Sequence, residues 1–266
     1  MNVLACALLL LQASAVSHGL PLTGEAAEHF LRTARVVSIR ELSVGISGPR
    51  QATLSDGRLT WKAVWKTIDY YRPGVTYLSK GQPEIDFRDS YRSEIAAYEL
   101  DKLLGLDLVP PTVERTVGRE AGAMQIWVER VVTEYERREQ GLVTPDPEGW
   151  EAQMDRVRLL RQLTYDGDRA NIRNLLIDPT DFRIYAIDFS RAFRRYSKLP
   201  APEELTRFPR NVLERVRGLN EEIVDRKLGT WVPPTERRAL LKRRDAILAL
   251  AERLVAEKGA VAVFHP

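Results

Sequence analysis

The order in which strand-like and helix-like patterns follow one another constrains the fold of this 266-residue chain most strongly. Up to Arg130 the pattern is mostly that of strands, with one short leading helix and one longer helix. After Arg130 the pattern is mostly helical, with helices predicted over residues 150–164, 201–218, 220–228 and 234–257. A β-rich half followed by an α-rich half is typical of α+β proteins, and we therefore expect two lobes.

The first half of the chain divides into short elements at clear turn signals. We predict a helix over residues 25–34 and strands over residues 36–42, 51–54, 59–67, 112–117 and 123–129. Asp89 or Ser90 is expected to cap a helix that ends before Gly105. Residues 70–89 contain Pro, Gly and many polar side chains, and they are predicted to form an irregular polar loop.

Cysteine and histidine are too scarce for several kinds of site. The single cysteine is Cys6, which excludes a disulfide within the chain and a zinc site built on thiolates. The three histidines are His18, His29 and His265, all near the termini. The chain therefore has too few histidines for a Ser–His–Asp triad or a histidine metal cluster, which argues against most hydrolases.

The net charge of +3 gives no reason to expect nucleic acid as a partner. Residues 191–245 hold fifteen Lys/Arg against eight Asp/Glu, so the excess is local. Solvated helical faces explain such an excess, and an acidic acceptor is the alternative interpretation.

The N-terminal segment favours a signal peptide over residues 1–19. It contains no Asp, Glu, Lys or Arg, and a short apolar run at residues 3–11 precedes the small residues of 13–17. The run is too short for a membrane span, and no other segment approaches about 18 uncharged apolar residues, so the mature chain is expected to have no span. If the segment is cleaved, the protein is expected to be secreted or periplasmic. If it is retained, the protein is expected to be cytoplasmic. A secretory signal normally begins with Lys or Arg, which this segment lacks.

The stretch from Tyr165 to Ser190 carries the most chemical information. A predicted helix ends before an Asp-Arg pair at Asp168-Arg169, and Asn174 opens the first strand of a short hairpin over residues 175–177 and 183–188. Such a hairpin brings Asn174 and Asp188 to the same end of two paired strands. Their oxygens suit Mg²⁺, and Asp168 lies one loop away, where an acceptor for a hydroxyl proton belongs.

This stretch resembles the catalytic and metal-binding hairpin of the atypical branch of the protein-kinase-like superfamily. That branch includes the phosphatidylinositol-4-kinase-like, HipA-type and Golgi casein-kinase-like families, and we expect a bacterial-type member. The resemblance implies that Asp168 is the catalytic aspartate, Asn174 a Mg²⁺ ligand and Asp188 the principal Mg²⁺ ligand. It also implies a β-rich N-lobe at residues 20–130 and a mostly helical C-lobe at residues 131–266.

The resemblance extends to the nucleotide-binding residues of the first half. Lys66 looks like the strand lysine that reaches the α- and β-phosphates, and Glu94 looks like the helix glutamate that pairs with it. Residues 125–129, with Gln125 and Val128 as candidate contacts, would receive adenine. The turn at residues 45–48 would cover the phosphates, although it lacks the usual Gly-rich pattern.

The function implied is ATP- and Mg²⁺-dependent phosphoryl transfer to a protein, lipid or small molecule. Two assignments stay open: Lys62 alternates onto the same strand face as Lys66, and Asp166 with Asn171 has the five-residue step usual in kinases. The six-residue step from Asp168 to Asn174 also leaves room for a pseudokinase or nucleotide-binding scaffold. A kinase-fold enzyme with AMP-transfer or glutamylation chemistry is the third alternative.

Overall fold

The computed structural model describes residues 19–42, 48–77 and 83–265. The helices are α1 (Gly24–Thr33), α2 (Tyr91–Leu104), α3 (Glu134–Glu139), α4 (Pro147–Thr164), α5 (Arg210–Gly218), α6 (Glu221–Leu228), α7 (Pro234–Lys258) and α8 (Ala260–Val263). The strands are β1 (Arg35–Glu41), β2 (Arg50–Ser55), β3 (Thr60–Lys66), β4 (Asp69–Tyr77), β5 (Pro83–Ser90), β6 (Thr112–Val117), β7 (Glu120–Ile126), β8 (Val132–Thr133), β9 (Leu175–Ile177), β10 (Ile184–Ala186), β11 (Phe208–Pro209) and β12 (Phe264–His265). The predicted signal segment and most of the turn at residues 45–48 lie outside the described residues.

A five-stranded antiparallel sheet in the order β1-β2-β3-β7-β6 forms most of the first half. Alternate side chains of β2 and β3 point to one face, where Leu54, Ala63 and Trp65 are almost fully buried. Phe30 and Leu31 of α1 pack into the same hydrophobic cluster. The register sets Val64 opposite Gln125 and Lys66 opposite Ala123, so Lys66 lies at the end of β3, beside β7.

The prediction of an irregular loop over residues 70–89 is wrong. The chain forms a long antiparallel hairpin there, β4 paired with β5, which starts at Asp69 opposite Ser90. A register shift between Arg72 and Val75 accommodates Pro73 and Gly74, the residues whose presence argued against a strand. The hairpin is partly solvent-exposed, so its sequence lacks the apolar alternation by which buried strands are recognised.

Helix α2 begins and ends as its sequence predicts. The Ser90 hydroxyl accepts a hydrogen bond from the backbone N–H of Arg92 at 3.2 Å. Gly105 ends the helix with φ of +58°, in the left-handed region that glycine favours. Because β5 runs directly into α2, the hairpin fixes the start of the helix that carries Glu94.

The second half is mostly helical around a separate hydrophobic core. Helix α4 and helix α7 contribute Leu159, Leu160, Leu163, Leu240 and Ile247 to it. A three-stranded sheet in the order β10-β9-β8 lies between this core and the five-stranded sheet. A β-sheet region followed by a mainly helical region confirms the predicted α+β class.

One prediction in the second half needs correction, and one helix was missed. The helix predicted over residues 201–218 begins only at Arg210, because the prolines at 202 and 209 restrict the preceding chain to a 3-10 turn at Pro202–Glu204 and the short strand β11. Helix α3 was not predicted, although Thr133 and Glu136 form a capping box at its start. In the described part of the chain, no helix has both the length and the apolar character needed to cross a membrane.

Candidate active site

Three charged side chains from separate elements meet between the two halves of the molecule. Lys66 Nζ at the end of β3 lies 2.6 Å from Glu94 Oε1 of α2 and 2.6 Å from Asp188 Oδ1, which follows β10. Glu94 Oε2 accepts a hydrogen bond from the backbone N–H of Phe189 at 3.0 Å. Glu94 therefore holds both the lysine and the backbone next to Asp188.

Burial and charge act in opposite directions in this cluster. Burial alone would lower the pKa of Lys66, but the attraction of Glu94 and Asp188 outweighs it and raises the pKa. Burial raises the pKa of Glu94, and the ammonium group of Lys66 works against that rise. Lys66 is thus a fixed positive charge at neutral pH.

Asp188 has an unusual backbone conformation. Its φ is +65°, in the left-handed region that is uncommon for residues other than glycine. The N–H of Ile187 donates to the carbonyl of Asn174 at 3.0 Å, which joins Asp188 to the opposite strand end. Strained residues held by their surroundings are characteristic of functional sites.

The loop after α4 brings Asp168 and two asparagines together. Asp168 Oδ2 accepts hydrogen bonds from Asn171 Nδ2 at 2.9 Å and from Asn174 Nδ2 at 3.1 Å. Asp168 Oδ1 has no hydrogen-bond partner among the described residues. One oxygen thus orients the carboxylate, and the other remains available to a ligand.

Asp166 and Arg161 form hydrogen bonds with the backbone of this loop. Asp166 Oδ1 accepts the backbone N–H of Asp168 at 2.9 Å, and Arg161 Nη1 donates to the carbonyl of Arg169 at 2.6 Å. Burial raises the pKa of Asp166 to about 6, against the attraction of Arg161. Asp166 is only 2% exposed, so it cannot reach a ligand as placed, whereas Asp168 is half-buried. Sequence reasoning did not identify Arg161, because one arginine in a helix gives no signal of such a contact.

The donor set fits a divalent cation shared with phosphates. Asp188 Oδ2 has no partner among the described residues, and Asn174 Oδ1 receives only a long hydrogen bond of 3.3 Å from Asn171. In the described part of the chain, no three His, Cys, Asp or Glu side chains gather as a metal site of their own. One carboxylate and one amide oxygen suit Mg²⁺, which takes its remaining ligands from water and nucleotide phosphates.

The candidate adenine-binding residues lie on and after β7. Gln125 is buried, donates to Thr112 Oγ1 at 2.9 Å, and lines a small space together with Val64, Lys66 and Glu94. Val128 follows the strand, and its backbone N–H has no hydrogen-bond partner among the described residues. Lys62 is not part of the Lys66 cluster and instead forms an exposed ion pair with Glu129 at 2.9 Å.

The segment after Asp188 anchors the β4–β5 hairpin, a contact that the sequence did not reveal. Buried Arg194 donates to the carbonyls of Arg88 and Ile85 and lies 2.8 Å from Glu84. Tyr196 Oη accepts the backbone N–H of Ile85 at 3.1 Å. The segment after Asp188 is therefore attached to the hairpin at several points beside the site.

Comparison with solved structures identifies the fold. A hydra Fam20 protein solved with sugar matches with a TM-score of 0.67 and 14% identity, over 92% of this chain and 93% of that chain. The Golgi casein kinase with Mn/ADP bound matches with a TM-score of 0.62 and 14% identity, over 90% and 78% of the two chains. The Helicobacter pylori proinflammatory kinase CtkA matches with a TM-score of 0.52 and 11% identity, over 86% and 98%.

The sequence itself matches no protein-family model and no curated protein. The similarity thus lies in the arrangement of the elements and not in the sequence as a whole. It confirms the fold expected from the Asp168–Asp188 stretch: this chain has an atypical protein-kinase-like fold.

Proposed function

We propose that this protein is a phosphotransferase that transfers the γ-phosphoryl group of ATP with the help of Mg²⁺. The observation that carries the proposal is the contact of Lys66 with both Glu94 and Asp188, three residues from separate elements. A lysine fixed by a carboxylate next to a candidate metal ligand is the arrangement that phosphoryl transfer needs. The kinase-like neighbours, one of them solved with Mn/ADP, support it.

In this proposal each residue has a defined task. Lys66 binds the α- and β-phosphates, and Glu94 holds it in place. Asp188 and Asn174 would hold the metal ion, which supplies charge neutralisation at the phosphates. Gln125 lines the deep side of the adenine site, and the free N–H of Val128 is available to the adenine ring.

Asp168 is the proposed acceptor of the hydroxyl proton. The acceptor oxygen forms a bond to the γ-phosphorus, the bond from that phosphorus to the β,γ-bridging oxygen breaks, and ADP leaves with that electron pair. The hydroxyl proton passes to the free oxygen of Asp168. The buried position of Asp166 favours Asp168 with Asn174 over the alternative pair Asp166 with Asn171.

The test is ATP turnover by the wild-type chain and by Asp168→Asn, measured as ADP release in the presence of Mg²⁺. Candidate acceptors include sugars, because a hydra Fam20 neighbour was solved with sugar, and also proteins and lipids. We expect turnover in the wild type, its loss in Asp168→Asn, and similar ATP affinity in both. ATP binding without turnover in the wild type would instead support a nucleotide-binding scaffold.

A further inference from the structure

A second cavity opens beside the proposed catalytic loop. It has a volume of about 670 Å³ and lies between the β4–β5 hairpin and the segments around Asp168 and Asp188. Gly167 and Arg169, the two neighbours of Asp168, both line it. We call this cavity the hairpin cleft, lined by Tyr77, Ile85, Tyr165, Arg169, Arg191 and Tyr196.

The hairpin cleft is bounded by contacts within the protein. Tyr196 joins its two walls, because its hydroxyl accepts the N–H of Ile85 at 3.1 Å. Its ring lies 5.0 Å from that of Tyr165, centroid to centroid. These contacts connect the two sides of the cleft, and its volume falls within the range of 300–1,000 Å³ that is usual for small-molecule sites.

The charge of the hairpin cleft is positive on the side of the catalytic loop. The guanidinium of Arg169 makes one long hydrogen bond, 3.5 Å to the carbonyl of Pro200. The guanidinium of Arg191 lies 3.4 Å from Asp89. A guanidinium has five N–H donors, so both arginines keep donors for a ligand.

Among the described residues that line the cleft, Glu84 is the acidic one, and it is neutralised by Arg194 at 2.8 Å. Arginine side chains recognise phosphate and carboxylate groups through paired hydrogen bonds. The opposite wall, with Tyr77 and Ile85, offers apolar and aromatic surface. The cleft therefore suits a ligand that has an anionic group towards the catalytic loop and a compact body against the hairpin.

We infer that the hairpin cleft is the acceptor site and that its acceptor is a small hydroxyl compound carrying a phosphate or carboxylate group. This inference rests on the proposed function. The acceptor's hydroxyl oxygen forms a bond to the γ-phosphorus of ATP, the bond to the β,γ-bridging oxygen breaks and ADP leaves. The hydroxyl proton goes to Asp168. Arg169 and Arg191 hold the anionic group and set which hydroxyl reaches Asp168.

The experiment measures ADP release by the full chain with Mg²⁺ and ATP against paired acceptors. Glucose 6-phosphate and glycerol 3-phosphate test a phosphate group, glucuronate tests a carboxylate, and glucose and glycerol are the neutral counterparts. A serine peptide containing glutamates is the polypeptide arm. We expect kcat/KM to be about tenfold or more higher for an anionic small acceptor than for its neutral counterpart.

Two arginine variants separate a specific role from a general charge effect. Arg191→Gln is expected to raise the KM of the anionic acceptor about tenfold, with little change in kcat. Arg226→Gln removes an exposed arginine outside the cleft, paired with Glu222 at 3.1 Å, and should change neither constant. Equal losses in both variants would show a general charge effect and overturn the inference.

ATP affinity, measured on the same samples, distinguishes failure of the proposed function from failure of the acceptor assignment. If ATP does not bind, the proposed function itself fails. If ATP binds but no acceptor of any kind is turned over, the proposed function fails as well. If ATP binds and other acceptors are turned over, but the anionic small acceptors are no better than their neutral counterparts or are surpassed by the peptide, the acceptor assignment alone is overturned. A preference for the anionic compounds that Arg191→Gln abolishes supports it.

Discussion

Replacing Glu94 by Gln tests whether the Lys66 cluster is a buried, coupled ion pair. The Glu94 side chain is 2% exposed and that of Lys66 12%, so water screens the contact weakly. Gln presents an N–H group towards either the ammonium of Lys66 or the N–H of Phe189, and in both cases two donors face each other. Removing one partner of a buried ion pair costs about 3–5 kcal/mol.

The remaining contact with Asp188 places the expected cost at the lower end of that range. Asp188 stays 2.6 Å from Lys66, but its side chain is 39% exposed and solvent weakens the attraction. We expect Glu94→Gln to lower the free energy of unfolding by about 3 kcal/mol, measured by urea denaturation without nucleotide. ATP affinity should fall as well, because Lys66 loses the group that orients it.

The ion pair of Lys62, which lies on the same strand as Lys66, provides a matched control. Lys62 and Glu129 form an ion pair at 2.9 Å whose side chains are 46% and 32% exposed. Glu129→Gln should cost less than about 1 kcal/mol, as is usual for surface pairs. If Glu94→Gln costs no more than Glu129→Gln, the cluster is not the buried pair described here.

A double-mutant cycle with Lys66→Met completes this test. In the double variant no buried charge is left without its partner, so its destabilisation should be smaller than the sum of the single effects by about 1–3 kcal/mol. Simple additivity would show that Lys66 and Glu94 do not interact in solution.

Three further predictions concern stability. Burial raises the pKa of Asp101 from 3.8 to about 7, so the wild type loses free energy of unfolding as the pH rises from about 4 to 7. Asp101→Asn should lack this loss, gaining up to about 4 kcal/mol relative to the wild type in urea denaturation at pH 8 compared with pH 4, and parallel pH profiles would contradict it. Gly105→Ala should cost more than Gly118→Ala. Both have positive φ, but an added Cβ at 105 would lie 1.5 Å from Arg215 Nη1 and would displace this guanidinium from the carbonyl of Leu104, to which it donates at 3.0 Å, whereas a Cβ at 118 meets open space. Thermal unfolding should show a cost of about 1–2 kcal/mol for Gly118→Ala, and about 1 kcal/mol more for Gly105→Ala because of the lost hydrogen bond. Equal costs would be inconsistent with this packing. Arg194→Met removes the contacts to the carbonyls of the hairpin, so amide exchange in β5 should accelerate at least about tenfold, and unchanged exchange would show that other contacts hold the hairpin.

Local signals predicted much of the fold. Ser90 and Gly105 marked the ends of α2 because capping and left-handed termination depend on the residues at those positions alone. The β4–β5 hairpin escaped prediction because its strands are held by distant contacts, such as Arg194 with Ile85, rather than by an apolar alternation. Helix α3 escaped because it is short, although its capping box is visible at Thr133 and Glu136.

The candidate site was predicted through the order of its residues, and the geometry explains why spacing alone was insufficient. Lys66 and Asp188 are 122 positions apart and meet beside α2, where Glu94 bonds both Lys66 and the backbone N–H of Phe189. The choice between Lys62 and Lys66 could not be made from strand alternation, because both share a face. Their different partners, Glu129 and Glu94, depend on tertiary packing. The signal segment, the lobe boundary at residue 130 and the bacterial type stay predictions.

The roles of the site residues are also predictions that need a direct measurement. The most direct one is calorimetric titration of ATP with Mg²⁺ into the wild-type chain and into Asp188→Asn. Asparagine tolerates the positive φ of position 188, so the variant changes the charge and leaves the backbone conformation accessible. Chelating the metal with EDTA provides the third arm.

We expect ATP binding by the wild type that weakens strongly when Mg²⁺ is removed, and the same weak binding by Asp188→Asn with or without Mg²⁺. Equal affinity for ATP in both proteins, unaffected by Mg²⁺, would contradict the assignment of Asp188 as a metal ligand. Absence of ATP binding by the wild type would contradict the proposed phosphotransferase itself.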